Sequence, residues 1–558
     1  MSDENRPLKP AHIALLAISY LLISYIFFGR YSDGFFFLAD DWLYFDTTRG
    51  SWKTLWYLPG LGLFWRPLHV ILLQGINALF SLKPMPQYIF SLLVHVFNSL
   101  LVTVLVKRLT SSRGAALISG TLFSIFYASY EPLFWISARS HMLAAAFILT
   151  AACLLSRYIE TSSKRYFYLF HAAATAALLS HEFGLTLPVV ATIVFFMNPE
   201  KHHSSAEGRR AEALRAVKTL AGVYILAGAW FMAEYMYPRL FYSGASGFIT
   251  TIERRRNITL GAIELLFRKN FFYWIDINGW WLLIIGLFIV FCFTVFFIRL
   301  RRQGLLFLLL GVFLMFFLAP GRAARFFYVP AIAISAFYGI AINEAASRIL
   351  VPIGRLLKDE TLKKILYFVF ICALMYPFVL TDYFFIKARA GEFNYASSLS
   401  KTVFNTTGKV MEKLKDTKEI GIYYINPPVL FIRTPFPPVF ISGEYEINSM
   451  VKAAFSSNRM VRTSRVHFLG PHPEGSSLSG IGKGLVARYP YVTEYRFFGD
   501  SALGWAEFNP EQFDRLTQSS DENLVILFTP DGAAVNVSGM GFDSVRKGFF
   551  GKYLSAVR

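Results

Sequence analysis

From Ala11 onward the chain is a succession of apolar blocks of near membrane-crossing length, and this constrains its fold more than any other feature. The first block runs from Ala11 to Gly29, between Pro10 and Arg30. Others cover residues 86–106, 114–130, 141–157, 166–181, 183–198, 219–238, 280–298, 303–320, 326–343 and 364–381. A helix needs about twenty predominantly apolar residues to cross the hydrocarbon core, so the blocks predict about eleven crossings. Composition agrees. Charged residues make up only 16% of the chain and hydrophobic ones 55%, against about 25% charged in ordinary soluble domains. A soluble core cannot hide that much apolar surface, which excludes both a cytosolic enzyme and a disordered chain.

The net charge of +19 would raise the question of nucleic acid in a soluble protein. Here Lys and Arg collect in short loops between apolar blocks, which is the signature of membrane topology, and no nucleic-acid partner is predicted. Cys153, Cys292 and Cys372 all lie inside apolar blocks. They form neither a disulfide framework nor a spaced zinc site.

No small-residue cleavage site follows the first block, so it reads as an uncleaved anchor with a cytoplasmic N-terminus. Alternate loops then carry the basic excess, as the positive-inside rule requires: Lys107, Arg108 and Arg113, then Arg157, Lys164 and Arg165, then Lys201, Arg209, Arg210, Arg215 and Lys218. The pattern continues through Arg299, Arg301 and Arg302 to Arg348, Arg355, Lys358, Lys363 and Lys364. Basic loops on both sides of residues 166–198 require an even number of crossings there, hence a short, tilted hairpin. The odd total places everything after Thr381 outside.

Three outside regions exceed a simple turn. Residues 30–86 form a first outer loop rich in Trp, Phe and Tyr, where interfacial amphipathic helices are expected. Residues 239–279 form a basic outer loop with Arg254, Arg255, Arg256, Arg268 and Lys269. Either a loop of this size crosses despite its charge, or it meets an anionic ligand. The third region is the tail. An amphipathic stretch, Asn394 to Lys415, leads into the strand-like runs Ile420–Ile425, Val461–Leu469, Leu485–Val492 and Leu524–Phe528, separated by Pro, Gly and Ser clusters. The predicted fold class is therefore an all-α polytopic membrane domain over residues 1–384 and a small α/β domain outside the cytoplasm over residues 385–558. The tail contains no nucleophile elbow, phosphate loop or metal-ligand cluster.

Five polar clusters could carry chemistry. Asp40-Asp41 stands inside the aromatic run Phe35 to Trp42, just past the first block. Two adjacent carboxylates there are costly unless used or paired, and burial among aromatics suits a general base; a solvated turn or helix cap is the plain alternative. Arg66, in Trp65-Arg66-Pro67-Leu68, could snorkel to the interface or hold a phosphate. In the same cluster, His95 and Asn98 of the span that follows, one helical turn apart, suit hydrogen bonds to neighbouring helices. Glu131, Arg139 and His141 fill the short outer loop after the third block, where a Glu–Arg pair could equally stabilise the turn. His181-Glu182 sits at the outer end of the tilted hairpin, where the two could also satisfy one another. Arg322 and Arg325 lie at an outer face, and Arg forks there can hold a phosphate bidentately. All converge on one face of the bilayer, which argues for a single site.

In order, these pieces resemble the glycosyltransferase C-type superfamily, with the nearest likeness to the O-mannosyltransferases that join many spans to tetratricopeptide repeats, and to their bacterial relatives. The residues that carry the resemblance are Asp40-Asp41, Arg66-Pro67-Leu68, His95 with Asn98, Glu131 to Arg139, Leu178-Leu179-Ser180-His181-Glu182 to Pro188, and Arg325 to Pro330. They span about residues 11–345. His181 stands where the family usually has Lys, His141 where Asp is common, and Ala138 in place of Gly; the tail has no tetratricopeptide pattern.

The resemblance implies transfer of a sugar from a polyprenyl-phosphate donor to a protein, lipid or glycan acceptor on the non-cytoplasmic side, with inversion. Asp40 would be the general base. Asp41 would orient Asp40 or the acceptor, or help bind a divalent metal, the one cofactor the resemblance leaves open. Arg139 and Arg325 would neutralise the departing lipid phosphate, with Arg66 a weaker candidate, while Glu131, His141, His181, Glu182 and Arg322 would line the substrate side. The membrane would be the inner membrane in a bacterium or the endoplasmic reticulum in a eukaryote. A transporter or flippase of a lipid-linked or anionic solute is the rival class. It predicts internally repeated halves and broken helices near the midplane; the sequence shows no repeat, and its ionisable residues gather at the outer face instead. A non-catalytic scaffold with a soluble head is a third reading.

Overall fold

The computed structural model describes residues 9–47, 65–197, 206–233, 302–318, 324–356, 359–413, 419–425, 430–431, 439–440, 444–455, 460–466, 523–528 and 534–540, together with Asp514 and Ser544. The basic loop 239–279, the block 280–298, the run Leu485–Val492 and Arg322 lie outside the described residues.

The membrane domain is all-α. Its helices are α1 (Pro10–Phe27), α2 (Asp40–Thr47), α3 (Pro67–Phe80), α4 (Pro84–Thr110), α5 (Arg113–Ser124), α6 (Tyr130–Phe134), α7 (Arg139–Thr161), α8 (Lys164–Ser180), α9 (Leu187–Met197), α10 (Ala206–Phe231), α11 (Arg302–Leu318), α12 (Tyr328–Leu356) and α13 (Glu360–Lys413). Proline opens α1, α3 and α4, at the first helical position, where its missing N–H had no intrahelical partner to lose. Six helices among the described residues are long and apolar enough to cross a membrane, which makes the chain a multi-pass membrane protein. Others on the predicted path are shorter: α5, α8, α9 and α11 have 12, 17, 11 and 17 residues. The apolar α3 lies in the segment between α1 and α4.

Helices α4, α5, α7 and α12 form the centre of the bundle, with α8 against α7 and α11 against α12. Small residues set the closest approaches. A Cβ on Gly339 would come within 2.7 Å of the Ser119 backbone nitrogen, so α12 can lie on α5 only because that position is bare. Polar ties complete the packing. The Tyr328 hydroxyl meets His95 Nδ1 at 2.8 Å and accepts from Asn98 Nδ2 at 3.1 Å, while Asn98 also donates to the Met142 carbonyl. The two polar residues of α4 thus hold α12 and α7.

Helix α13 has 54 residues with Pro377 inside it. At about 1.5 Å per residue it is about 80 Å long, more than twice the roughly 30 Å hydrocarbon core. Residue 385, the predicted start of the soluble tail, falls within this helix, and its far half packs on the segment between α1 and α3. Ser400 Oγ donates to the Phe37 carbonyl at 2.6 Å, and Phe404 stacks on Trp42.

Beyond α13 the chain forms a four-stranded sheet in the order β4-β1-β5-β6. Strand β1 (Glu419–Ile425) pairs in parallel with β4 (Met460–Val466) and with β5 (Asn523–Phe528), and β6 (Ala534–Asn536) closes the edge antiparallel. A separate two-stranded pairing joins β2 (Leu430–Phe431) and β3 (Val439–Phe440). A parallel sheet needs crossovers and buried strands: α14 (Glu444–Phe455) lies between β1 and β4 in the chain, and Val525 and Ile526 are fully buried. Helix α14 also packs on α2, the helix that the acidic pair opens.

Candidate active site

The segment Phe35–Ala39 is buried. Phe37 meets Trp42 and Phe45 edge-on, and Phe36 packs on Phe404. Ala39 then takes φ of +40°, a left-handed turn that a residue with a Cβ adopts at a cost and that recurs at functional sites. This turn starts α2 at Asp40.

The two aspartates have different surroundings. Asp41 is 1% exposed and its carboxylate is fully engaged. Oδ2 accepts from the Leu38 amide at 2.9 Å, and Oδ1 accepts from the Ser137 amide at 2.7 Å and the Ser137 hydroxyl at 2.5 Å. Burial pushes its pKa up to about 7 against these hydrogen bonds, with the Asp40 charge adding to the rise. Asp40 accepts no hydrogen bond among the described residues; it interacts through charge with Arg325 and Arg66. Burial raises its pKa above the ordinary carboxylate value, and the two guanidinium groups partly offset the rise. One carboxylate anchors the turn, and the other makes no hydrogen bond among the described residues.

Each of the two arginines has a glutamate of its own. Arg66 makes a fork with Glu182, Nε to Oε2 at 3.1 Å and Nη2 to Oε1 at 3.0 Å, and its Nη1 reaches Ser140 Oγ at 3.4 Å. Tyr44 bonds to it as well. Arg325 pairs through Nη1 with Glu131, whose other oxygen accepts the Arg325 amide at 3.0 Å. The Arg325 guanidinium lies 4.9 Å from the ring centres of Trp135 and of Phe326. Its side chain is 23% exposed, and Nε and Nη2 make no hydrogen bond among the described residues. Trp135 in turn donates to the Leu38 carbonyl at 3.3 Å, which ties this pair to the aspartate turn.

His141 and His181 lie beside them, with ring centres 3.9 Å apart. Arg139 is near but turned away. Fully buried, it donates from Nε to Ser91 Oγ and from Nη1 and Nη2 to the side chain and carbonyl of Gln87, so its guanidinium clamps α7 to α4. The structure therefore brings Asp40, Asp41, Arg66, Glu131, His141, His181, Glu182 and Arg325 together, while Arg139 supports from behind. Sequence reasoning missed Ser137, Tyr44 and Ser140. A buried serine or tyrosine in an aromatic-rich loop carries no signal until its partner is known.

These residues gather at one end of the bundle. Helix α7 runs from Arg139 at this end to Thr161, about 33 Å away. At the far end Arg108 and Arg157 share Glu160, and Arg215 bonds to Ser162. Arg108 and Arg157 of the first two predicted basic loops, and Arg215 of the third, thus lie at the end opposite the site.

The residues do not suit a metal. Among the described residues no group of three or more His, Cys, Asp or Glu could hold an ion. Both Asp41 oxygens already accept protein hydrogens.

No protein-family model matches the sequence, and no curated protein matches it. Solved structures similar to it include ArnT from Cupriavidus metallidurans bound to undecaprenyl phosphate, at 12% identity, over 94% of this chain and 94% of that one, with a TM-score of 0.48. Another is the archaeal oligosaccharyltransferase AglB from Archaeoglobus fulgidus in complex with an inhibitory peptide and a dolichol-phosphate, at 11% identity and a TM-score of 0.43. That match covers 80% of this chain and 64% of the larger enzyme.

Proposed function

We propose that this protein is a membrane glycosyltransferase that moves a sugar from a polyprenyl-phosphate carrier to an acceptor hydroxyl with inversion. The observation that carries the reading is Asp40: a carboxylate with no hydrogen bond among the described residues, buried and within the charge influence of two guanidinium groups at one end of a membrane bundle. In the reaction, Asp40 takes the proton of the acceptor hydroxyl as its oxygen bonds to the anomeric carbon. The bond from that carbon to the phosphate oxygen breaks, and the phosphate keeps the electron pair. Charge grows on the phosphate as it leaves, where Arg325, whose Nε and Nη2 make no hydrogen bond among the described residues, stabilises it directly, and Arg66, held by Glu182, adds its positive charge. Asp41 holds the turn that aims Asp40, and Arg139 holds the helix end beneath it. A protein, lipid or glycan supplies the acceptor.

The test is to incubate purified protein with a panel of polyprenyl-phosphate sugars and an acceptor extract, and to measure free lipid phosphate. Release with at least one sugar supports the reading. Absence of release across the panel, with lipid phosphate bound, overturns it.

The site belongs outside the cytoplasm in this reading, in a bacterial inner membrane or the endoplasmic reticulum. Helix α13 offers a direct check of sidedness. Thr361 and Ser398 are both exposed and stand 37 residues apart on it, about 55 Å. In a chain whose own three cysteines are replaced, Ser398→Cys should react with an impermeant thiol reagent in intact cells, and Thr361→Cys only after permeabilisation. The reverse pattern would place the site in the cytoplasm.

A further inference from the structure

His141 and His181 are 2% and 3% exposed, yet Nε2 of each has no hydrogen-bond partner among the described residues. A buried polar atom left unmet costs about 1–3 kcal/mol, so two such atoms on touching rings call for a ligand. The rings are fixed by their other nitrogens. His141 Nδ1 lies 3.1 Å from the Ala138 carbonyl, so Nδ1 carries the proton and Nε2 is a bare lone pair. His181 Nδ1 faces the Phe183 amide at 3.1 Å and the Glu182 carboxylate at 2.9 Å. In either tautomer of His181, the pair needs a group that donates a hydrogen bond to at least one ring nitrogen.

That requirement rejects an ionised phosphate, which offers only acceptors. The surroundings are aromatic: Phe183 lies 5.0 Å from His141 and 4.5 Å from His181, and Phe326 lies 5.7 Å from His141, all centre to centre. Arg325 stands over the Phe326 ring, and Arg66 reaches Ser140, the neighbour of His141. Neutral hydrogen-bonding groups among apolar ring faces, beside an anion-binding pair of arginines, match a molecule with a hydroxylated, apolar-faced part joined to a phosphate.

We infer that His141 and His181 form the sugar subsite of the donor, reading a hydroxyl of the sugar while Arg66 and Arg325 take its phosphate. This rests on the function proposed above. The test compares binding of undecaprenyl phosphate with that of undecaprenyl-phosphate glucose, galactose, mannose and arabinose. In the unchanged protein at least one glycolipid should bind about tenfold tighter than the bare lipid phosphate. His141→Leu should abolish that gain and leave affinity for undecaprenyl phosphate unaltered, which also certifies the fold. His141→Gln, whose amide can stand in for Nε2, should restore much of it; His181→Leu provides the same test from the second ring. Failure to bind undecaprenyl phosphate at all overturns the glycosyltransferase reading and this one together. Binding of the lipid phosphate with no gain from any sugar, or a gain that survives both leucine variants, overturns the histidine subsite alone.

Discussion

Asp40→Asn should lower sugar transfer by about a hundred- to ten-thousandfold, the usual loss when a general base is removed, while the protein keeps its thermal stability and its affinity for the lipid carrier. The substitution preserves shape, and the Asp40 carboxylate accepts no hydrogen bond among the described residues that an amide could upset. Asp41→Asn should behave in the opposite order. An amide nitrogen would replace one of two oxygens that accept from Leu38 and Ser137, and a buried donor facing a donor costs about 1–3 kcal/mol. Stability in detergent should fall first, with activity following it. The pH profile separates the roles further. A base works deprotonated, so transfer should decline as pH falls through a pKa that burial holds above the ordinary aspartate value, and Asp40→Asn should erase that limb. Near-normal turnover in Asp40→Asn would remove the residue from the mechanism.

Arg66→Met should destabilise the protein by about 3–5 kcal/mol, the loss typical when one member of a buried ion pair is removed. The Arg66–Glu182 fork is 13% and 11% exposed, and its loss leaves the Glu182 carboxylate with the His181 ring as its near neighbour. Adding Glu182→Leu to Arg66→Met should return most of that stability, because the stranded charge disappears with its partner. Thermal melting of the single and double variants in one detergent decides the matter. Equal losses would mean that the fork is not what holds this corner. Restored stability without restored transfer would separate the fold from the phosphate-facing role of Arg66.

The membrane architecture was legible because a helix in lipid must satisfy its own backbone, and only long apolar runs between charged loops can do so. The predicted starts at Ala11, 86 and 303 fall within two residues of α1, α4 and α11. Three strands of the tail were legible for a similar local reason, as short β-rich runs bounded by turn residues. The extent of α13 was not. Nothing local marks a boundary near residue 385, because the helix is apolar in lipid and amphipathic beyond it, and hydropathy reads that change of solvent as a change of domain.

At the site, the alternation of apolar blocks and basic loops pointed to Asp40, Arg66, Glu131, His141, His181, Glu182 and Arg325 as neighbours at one end of the bundle. The tertiary structure alone decided how they divide the work. Adjacent aspartates look alike in sequence. They differ because Ser137, ninety-six residues from Asp41, spends both of its donors there and leaves Asp40 open. Arg139 and Arg325 looked alike too, yet one is consumed by Gln87 and Ser91 and the other keeps two nitrogens open. A charge is written in the sequence, but whether it is already spent depends on partners that only the folded chain brings within hydrogen-bond distance.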